Sequence, residues 1–163
     1  MGNRILTERL CLRQLEVMEA RALLRGKADP ERPWMAGYPI QGTLIAVEAF
    51  VRALDNGAEP GAYGVYQLVR SSDAVVVGDI GFHGPPSPGG SVTVGYGLAP
   101  GARGQGYATE ALRAVVAWAL AQPGVASVEA DTTHANVPSQ RVMERAGMRL
   151  YDRNDQLRFY RVP

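Results

Sequence analysis

A mixed α/β domain with a largely antiparallel front half is the fold class this sequence predicts, and three observations predict it. Hydrophobic patterning runs in the order β-α-α-β-β-β-α-β-α-β. Two strand-like runs, 63–70 and 74–82, flank the turn Ser71, Ser72, Asp73. A strand at 92–98 then passes through a glycine-rich loop into a helix that opens after Gly106.

The elements follow in order. Residues 4–13 alternate loosely and read as a first strand, and 16–25 as a short helix ended by Gly26. Residues 29–41 hold Pro30, Pro33, Gly37 and Pro39, with Trp34, Met35 and Tyr38 between them, and resist regular structure. Thr43 is placed to cap a helix to Asn56, with Leu44, Val47, Val51 and Leu54 on one face and Gly57 as its stop. The helix after Gly106 sets Ala108, Ala111, Leu112, Val115 and Ala119 on one side. In the strand 125–133, Ala126, Val128 and Ala130 point one way and Ser127, Glu129 and Asp131 the other. A helix over 137–146 closes at Gly147, and 157–162 form a last strand.

At 163 residues the chain is expected to be one domain, residues 1–163, with 46% hydrophobic residues as in ordinary soluble proteins. Seventeen basic and sixteen acidic side chains nearly cancel, which disfavours nucleic acid as the main partner. Cys11 is the only cysteine, so no internal disulfide can form, and no metal is expected. The first ten residues lack the apolar block of a signal peptide, and the apolar run at 114–121 is too short to span a bilayer. The expectation is a cytoplasmic protein without membrane contact.

The junction at 91–109 predicts an anion site. Glycines let several main-chain N–H groups point at one spot, and a helix dipole lies behind them. The P-loop pattern is missing. A dinucleotide fingerprint nearly fits at Gly104 and Gly106, but Thr109 replaces its third glycine and too little chain follows. The pattern Arg/Gln-x-x-Gly-x-Gly/Ala fits at all its fixed positions, Arg103, Gly106 and Ala108. Asn136 and Ser139 follow before the next helix.

With these residues the chain resembles the GCN5-related N-acetyltransferases. Within that superfamily it is most similar to the branch of ribosomal-protein N-terminal acetyltransferases. The likeness is carried by Leu6-Thr-Glu-Arg-Leu-Cys-Leu-Arg13, Val77-Gly-Asp-Ile-Gly-Phe82, Val94-Gly-Tyr-Gly-Leu98, residues 103–112 and the stretch from Asn136 to Met148. The resemblance implies a mixed, largely antiparallel central sheet of six to seven strands with helices on both faces. It also implies acetyl-CoA as co-substrate, a primary amine or peptide N-terminus as acceptor, and a monomer or homodimer.

The same resemblance assigns roles. Arg103, Gly104, Gln105, Gly106, Tyr107, Ala108 and Thr109 would hold the CoA diphosphate. The pantetheine arm would lie between two splayed strands and pair with main chain at Tyr96, Leu98 and Ala99. Gly95 and Gly97 suit close approach there, by a ligand or by another backbone. An N–H near Leu98 would polarise the thioester carbonyl. Met143 stands where many relatives carry a tyrosine, so the acid for the leaving thiolate is Ser139 or an ordered water, with Ser139 the candidate side chain. Asn136 would cap its helix or bond the CoA arm. Val92, Thr93 and Val94 stand where relatives often carry a glutamate base. Asp131 and His83 are therefore the leading base candidates, with Glu129, Asp79 and His134 behind them. Trp34, Met35 and Tyr38, with Asp79 and Glu129, would wall the acceptor side. An acetyltransferase, a non-catalytic acyl-CoA sensor and a dinucleotide-dependent oxidoreductase remain distinct readings at this point.

Overall fold

Eight strands form a single sheet in the order β1-β2-β3-β4-β5-β6-β8-β7 in a computed structural model that describes residues 2–163. They are β1 (Arg4–Leu6), β2 (Leu10–Gln14), β3 (Val65–Arg70), β4 (Val76–Phe82), β5 (Ser91–Leu98), β6 (Ser127–Thr133), β7 (Arg149–Arg153) and β8 (Leu157–Val162). Every neighbouring pair is antiparallel except β5 and β6. The helices are α1 (Val17–Leu24), α2 (Gln41–Asp55), α3 (Tyr107–Leu120) and α4 (Val137–Arg145).

The helices cover the sheet on both faces. Leu112, Val115 and Met143 pack with Leu12, Leu68, Ile80 and Val128 on one side, and Leu23, Val47 and Val51 pack with Val65, Val69 and Val76 on the other. Full burial of a side chain such as Leu112 contributes about 2 kcal/mol. No helix among the described residues is long and apolar enough to cross a membrane.

Three details differ from the sequence reading. The stretch 4–13 is two strands, because Thr7 turns the chain: its N–H donates to the Leu10 carbonyl and its hydroxyl oxygen accepts from the Leu10 N–H. A strand, β7, occupies 149–153; Leu150 and Tyr151 are adjacent and Tyr151 is an extra residue in a bulge, so no alternation marks it. Thr43 is not the cap of α2. Ile40 holds the extended cap position, and the Thr43 hydroxyl goes instead to Asp79.

Two irregularities shape the middle of the sheet. Leu68 pairs with Gly78 but Val69 with Val76, so Val77 is an extra residue in β4. Beyond this bulge Asp79, Gly81 and His83 take alternate positions facing α2. The second irregularity is the splay of β5 from β6. Their pairing runs only from Ser91 opposite Ser127 to Thr93 opposite Glu129.

Glu110 ties the front edge to α3. Its carboxylate accepts the Thr7 hydroxyl at 2.6 Å, the Arg9 N–H at 2.9 Å and the Arg9 Nε at 2.8 Å. Burial alone would raise its pKa, but these three donors outweigh burial and hold it below the ordinary value of 4.5. The stabilisation is thus fully present above pH 4.5 and is lost as pH falls through the lower folded value. Glu110→Ala should cost about 2 kcal/mol at pH 7, and the difference from wild type should shrink as the pH is lowered below 4.5. Urea unfolding at pH 7 and below pH 4.5 checks this; a pH-independent difference would refute it.

Candidate functional site

The splay leaves main chain on β5 without a strand partner. The Thr93 carbonyl accepts from the His83 N–H, and the Ala99 N–H donates to the Val77 carbonyl. Alternation along an antiparallel strand then directs the N–H and C=O of Tyr96 and Leu98 into the gap beside β6. The Leu98 carbonyl accepts from Arg103 Nη2 at 3.3 Å. Ala99 is not available for such pairing, because its N–H serves Val77 and its carbonyl accepts from Ala102.

At the end of the gap the chain forms a glycine-rich turn whose main-chain N–H groups make a cradle at the start of α3. After a 3₁₀ turn at Pro100–Ala102, Gly104 and Gly106 both take left-handed backbone, φ +78° and +83°. Gly106 holds the cap position of α3, and no side chain makes a capping hydrogen bond there. The first bond the helix closes is from the Glu110 N–H to the Gly106 carbonyl, at 3.0 Å, so the N–H groups before it have no partner within the helix. Arg103, Gly104, Gln105 and Gly106 are exposed around this end, while Tyr107 and Ala108 are buried behind it and Thr109 is half-buried.

Arg9, which the sequence reading passed over, stands beside the cradle. Its guanidinium lies 4.4 Å from the Tyr107 ring centroid, and Nη1 donates to the Gln105 carbonyl at 2.9 Å. The contact joins residues 96 positions apart, so no local pattern could have revealed it.

On the far side of the gap, Asn136 caps α4 through the Ser139 N–H at 3.2 Å. Ser139 Oγ lies 2.8 Å from the Tyr96 hydroxyl, which also donates to the Ser139 carbonyl at 3.1 Å. Burial pushes the Tyr96 hydroxyl up to about 12; the bond to Ser139 opposes this and nearby Tyr160 adds to it. Tyr160 is fully buried, and its hydroxyl has no partner among the described residues.

The other face of β4 and β5 borders a cavity of about 610 Å³ under α2. Asp79, His83, Gly95, Tyr96 and Gly97 line it. Asp79 is 5% exposed, and its Oδ2 accepts the Thr43 hydroxyl at 2.5 Å. Burial raises its pKa to about 6, against the pull of the Thr43 and Tyr38 hydroxyls. The glycines of β5 admit side chains on this face. A Cβ on Gly97 would stand 2.5 Å from Ile40 Cδ1, and one on Gly95 would stand 3.1 Å from His83 Nε2.

Other residues singled out in the sequence lie elsewhere. Trp34 and Met35 do not line this cavity: Trp34 bridges to Val76 and packs edge-on against Tyr38, and Met35 Sδ lies near Gly101. Tyr38 is buried, with its hydroxyl beside Asp79 and Gln67. Glu129 and Asp131 also lie outside the lining, on β6 opposite Arg161 and Phe159. The structure therefore does not bring Asp131 together with His83. His134 is bound to the Asn154 carbonyl and to Arg158.

Comparison with known proteins fits this geometry. The family model described as Acetyltransferase (GNAT) domain matches residues 9–149. The uncharacterized N-acetyltransferase YjdG of Bacillus subtilis is 31% identical over 80 residues, 49% of this chain and 48% of YjdG, so the match spans about half of that relative's length. The uncharacterized N-acetyltransferase p20 of Bacillus licheniformis is 28% identical over 138 residues, 84% of this chain and 77% of p20. A GNAT-family acetyltransferase from Bacillus anthracis superposes with a TM-score of 0.69 at 22% identity, covering 98% of both chains. RimL, the ribosomal L7/L12 alpha-N-protein acetyltransferase, solved in complex with coenzyme A, gives 0.68 at 17% identity, covering 98% of this chain and 97% of RimL. At these identities the solved structures establish a shared fold. With the family model spanning all but the edges of the sequence, the chain belongs to the GNAT acetyltransferase family.

Proposed function

We propose that this protein transfers the acetyl group of acetyl-CoA to a primary amine within a ternary complex. The observation that carries the reading is the meeting of two spaces at β5: a gap ending in an uncapped helix N-terminus, and a cavity holding a buried carboxylate. The residues fit the carrier. The cradle at 103–109 offers main-chain N–H groups to a diphosphate, Tyr96 and Leu98 offer N–H and C=O to an amide-bearing arm, and the unpaired Tyr160 hydroxyl suits a polar group in the gap. Coenzyme A bound to RimL, and acetyl-CoA bound to the microcin C7 self-immunity acetyltransferase MccE, are precedents in the same fold.

The carrier supplies an activated acyl group as a thioester; this chain supplies positioning and proton handling. The Leu98 N–H donates to the oxygen on which charge develops, a contribution of about 3 kcal/mol when preorganised. The amine must lose its proton to attack, and Asp79 and His83 are the titratable groups on the cavity side. The departing sulfur needs a proton, and the Ser139 and Tyr96 hydroxyls, already bonded to each other, stand in the gap to deliver it.

Release of free thiol from acetyl-CoA on incubation with a panel of amines tests the reading; no release with any amine refutes it. Ser139→Ala and Tyr96→Phe should each lower kcat about 100-fold with little change in the KM for acetyl-CoA. Wild-type kcat in both variants would remove the hydroxyl pair from the reaction.

A further inference from the structure

The cavity under α2 has a lining with an unusual charge pattern. Its volume, about 610 Å³, suits a small molecule. Phe50, Tyr63 and Phe82 form apolar wall, and Ala46 and Ala49, on one face of α2, make the room. Among the described residues that line it, Asp79 and His83 are the only ionisable groups besides tyrosine; no lysine, arginine or second carboxylate is present. Asp79 is held by hydroxyls, from Thr43 and Tyr38, and no ion pair with it occurs among the described residues.

A buried carboxylate without a cation is costly, and hydroxyl donors only hold it in place. A cationic ligand completes it. Asp79 stands opposite Gly97 in the β4–β5 register, next to the main chain that faces the gap. We infer that the acceptor is a singly charged primary amine on an apolar body, aryl or branched alkyl, with its ammonium at Asp79 and its body against Ala46, Ala49 and Phe50. This inference rests on the amine-acetylation reading and narrows it to one substrate class.

The chemistry disfavours the other amines. A second ammonium of a polyamine would meet hydrocarbon rather than a second carboxylate. The hydroxyls of an amino sugar would be left unpaired against the same wall. The carboxylate of an amino acid would find no lysine or arginine. A peptide N-terminus would bring backbone groups that the apolar lining cannot satisfy.

The test has a binding arm and a turnover arm. The full chain, saturated with free coenzyme A, is titrated calorimetrically with 2-phenylethylamine, 2-phenylethanol, n-propylamine, spermidine, glucosamine and a seryl tripeptide, while thiol release from acetyl-CoA is followed in parallel. Expected is binding of 2-phenylethylamine at least tenfold tighter than of spermidine, glucosamine, the tripeptide or 2-phenylethanol. Asp79→Asn should abolish the preference for amine over alcohol. Ala49→Leu should weaken 2-phenylethylamine at least fivefold more than n-propylamine. Spermidine, glucosamine or the tripeptide binding as tightly as 2-phenylethylamine overturns the inference, as does an amine preference that survives Asp79→Asn. Should that variant not fold, equal binding of amine and alcohol to the wild type, or no discrimination by Ala49→Leu, overturns it. The expected binding pattern without thiol release from any amine refutes acetyl transfer and leaves the site assignment standing; thiol release with the tripeptide alone does the reverse.

Discussion

Asp79→Asn is expected to stabilise the protein by up to about 3 kcal/mol at pH 8. The folded carboxyl titrates near 6 because burial disfavours its charge, against an ordinary value of 3.8. That gap corresponds to about 3 kcal/mol, at 1.36 kcal/mol for each pH unit. The sign follows from linkage: the folded state binds the proton more tightly than the unfolded state. The penalty is therefore complete above pH 6, shrinks as pH falls through 6, and is gone below 3.8. Urea unfolding of wild type and variant at pH 8 and pH 4 measures it. A variant less stable than wild type at pH 8, or a difference that ignores pH, would show that Asp79 is a structural anchor for Thr43. The expected result would instead mark a residue kept at a cost to stability, as preorganised charges at working sites are.

The parts of this site that were legible in the sequence are those whose geometry is local. The cradle can be read from Arg103, Gly106 and Ala108 because a strand, a turn and a helix N-terminus follow one another without interruption. Asn136 can be read as a cap because the Ser139 N–H lies only three residues on. What sequence reasoning missed depends on distant chain. Thr43 reads as a helix cap in the sequence because nothing near it shows Asp79, 36 residues away, competing for its hydroxyl. The bulge at Val77 shifts the pairing of β4 with β3 just before Asp79, and such an extra residue has no signature in an apolar run. The irregular segment around Trp34 and Met35 suggested an acceptor wall by composition. In the fold it packs on Val76 and Gly101, while the open space lies beneath the alanines of α2. The eighth strand was hidden because β7 is exposed along its whole length and so carries no core pattern.

Gly106→Val carries the other large expectation, a loss of acyl-carrier binding of at least 100-fold. Gly106 sits at φ +83°, where a β-branched side chain is strained, and an added Cβ would lie 3.4 Å from Arg9 Nη2. Two changes follow from one substitution. The loop must leave its left-handed turn, which re-aims the N–H groups that precede the first helical bond. The valine methyls also occupy the space over the helix end that a diphosphate would fill. A 100-fold rise in Kd is about 2.7 kcal/mol, comparable to the charge-assisted hydrogen bonds that would be lost. The strain should also lower the unfolding free energy by about 1–3 kcal/mol, a smaller fraction of total stability than of binding. Calorimetric titration with coenzyme A, together with a melting curve, separates the two effects. Unchanged affinity in a folded variant would mean that the diphosphate is held somewhere other than the mouth of α3. Arg103→Ala provides the contrast: it removes a side chain while leaving the main-chain cradle intact, so its loss in affinity should be several-fold smaller than that of Gly106→Val.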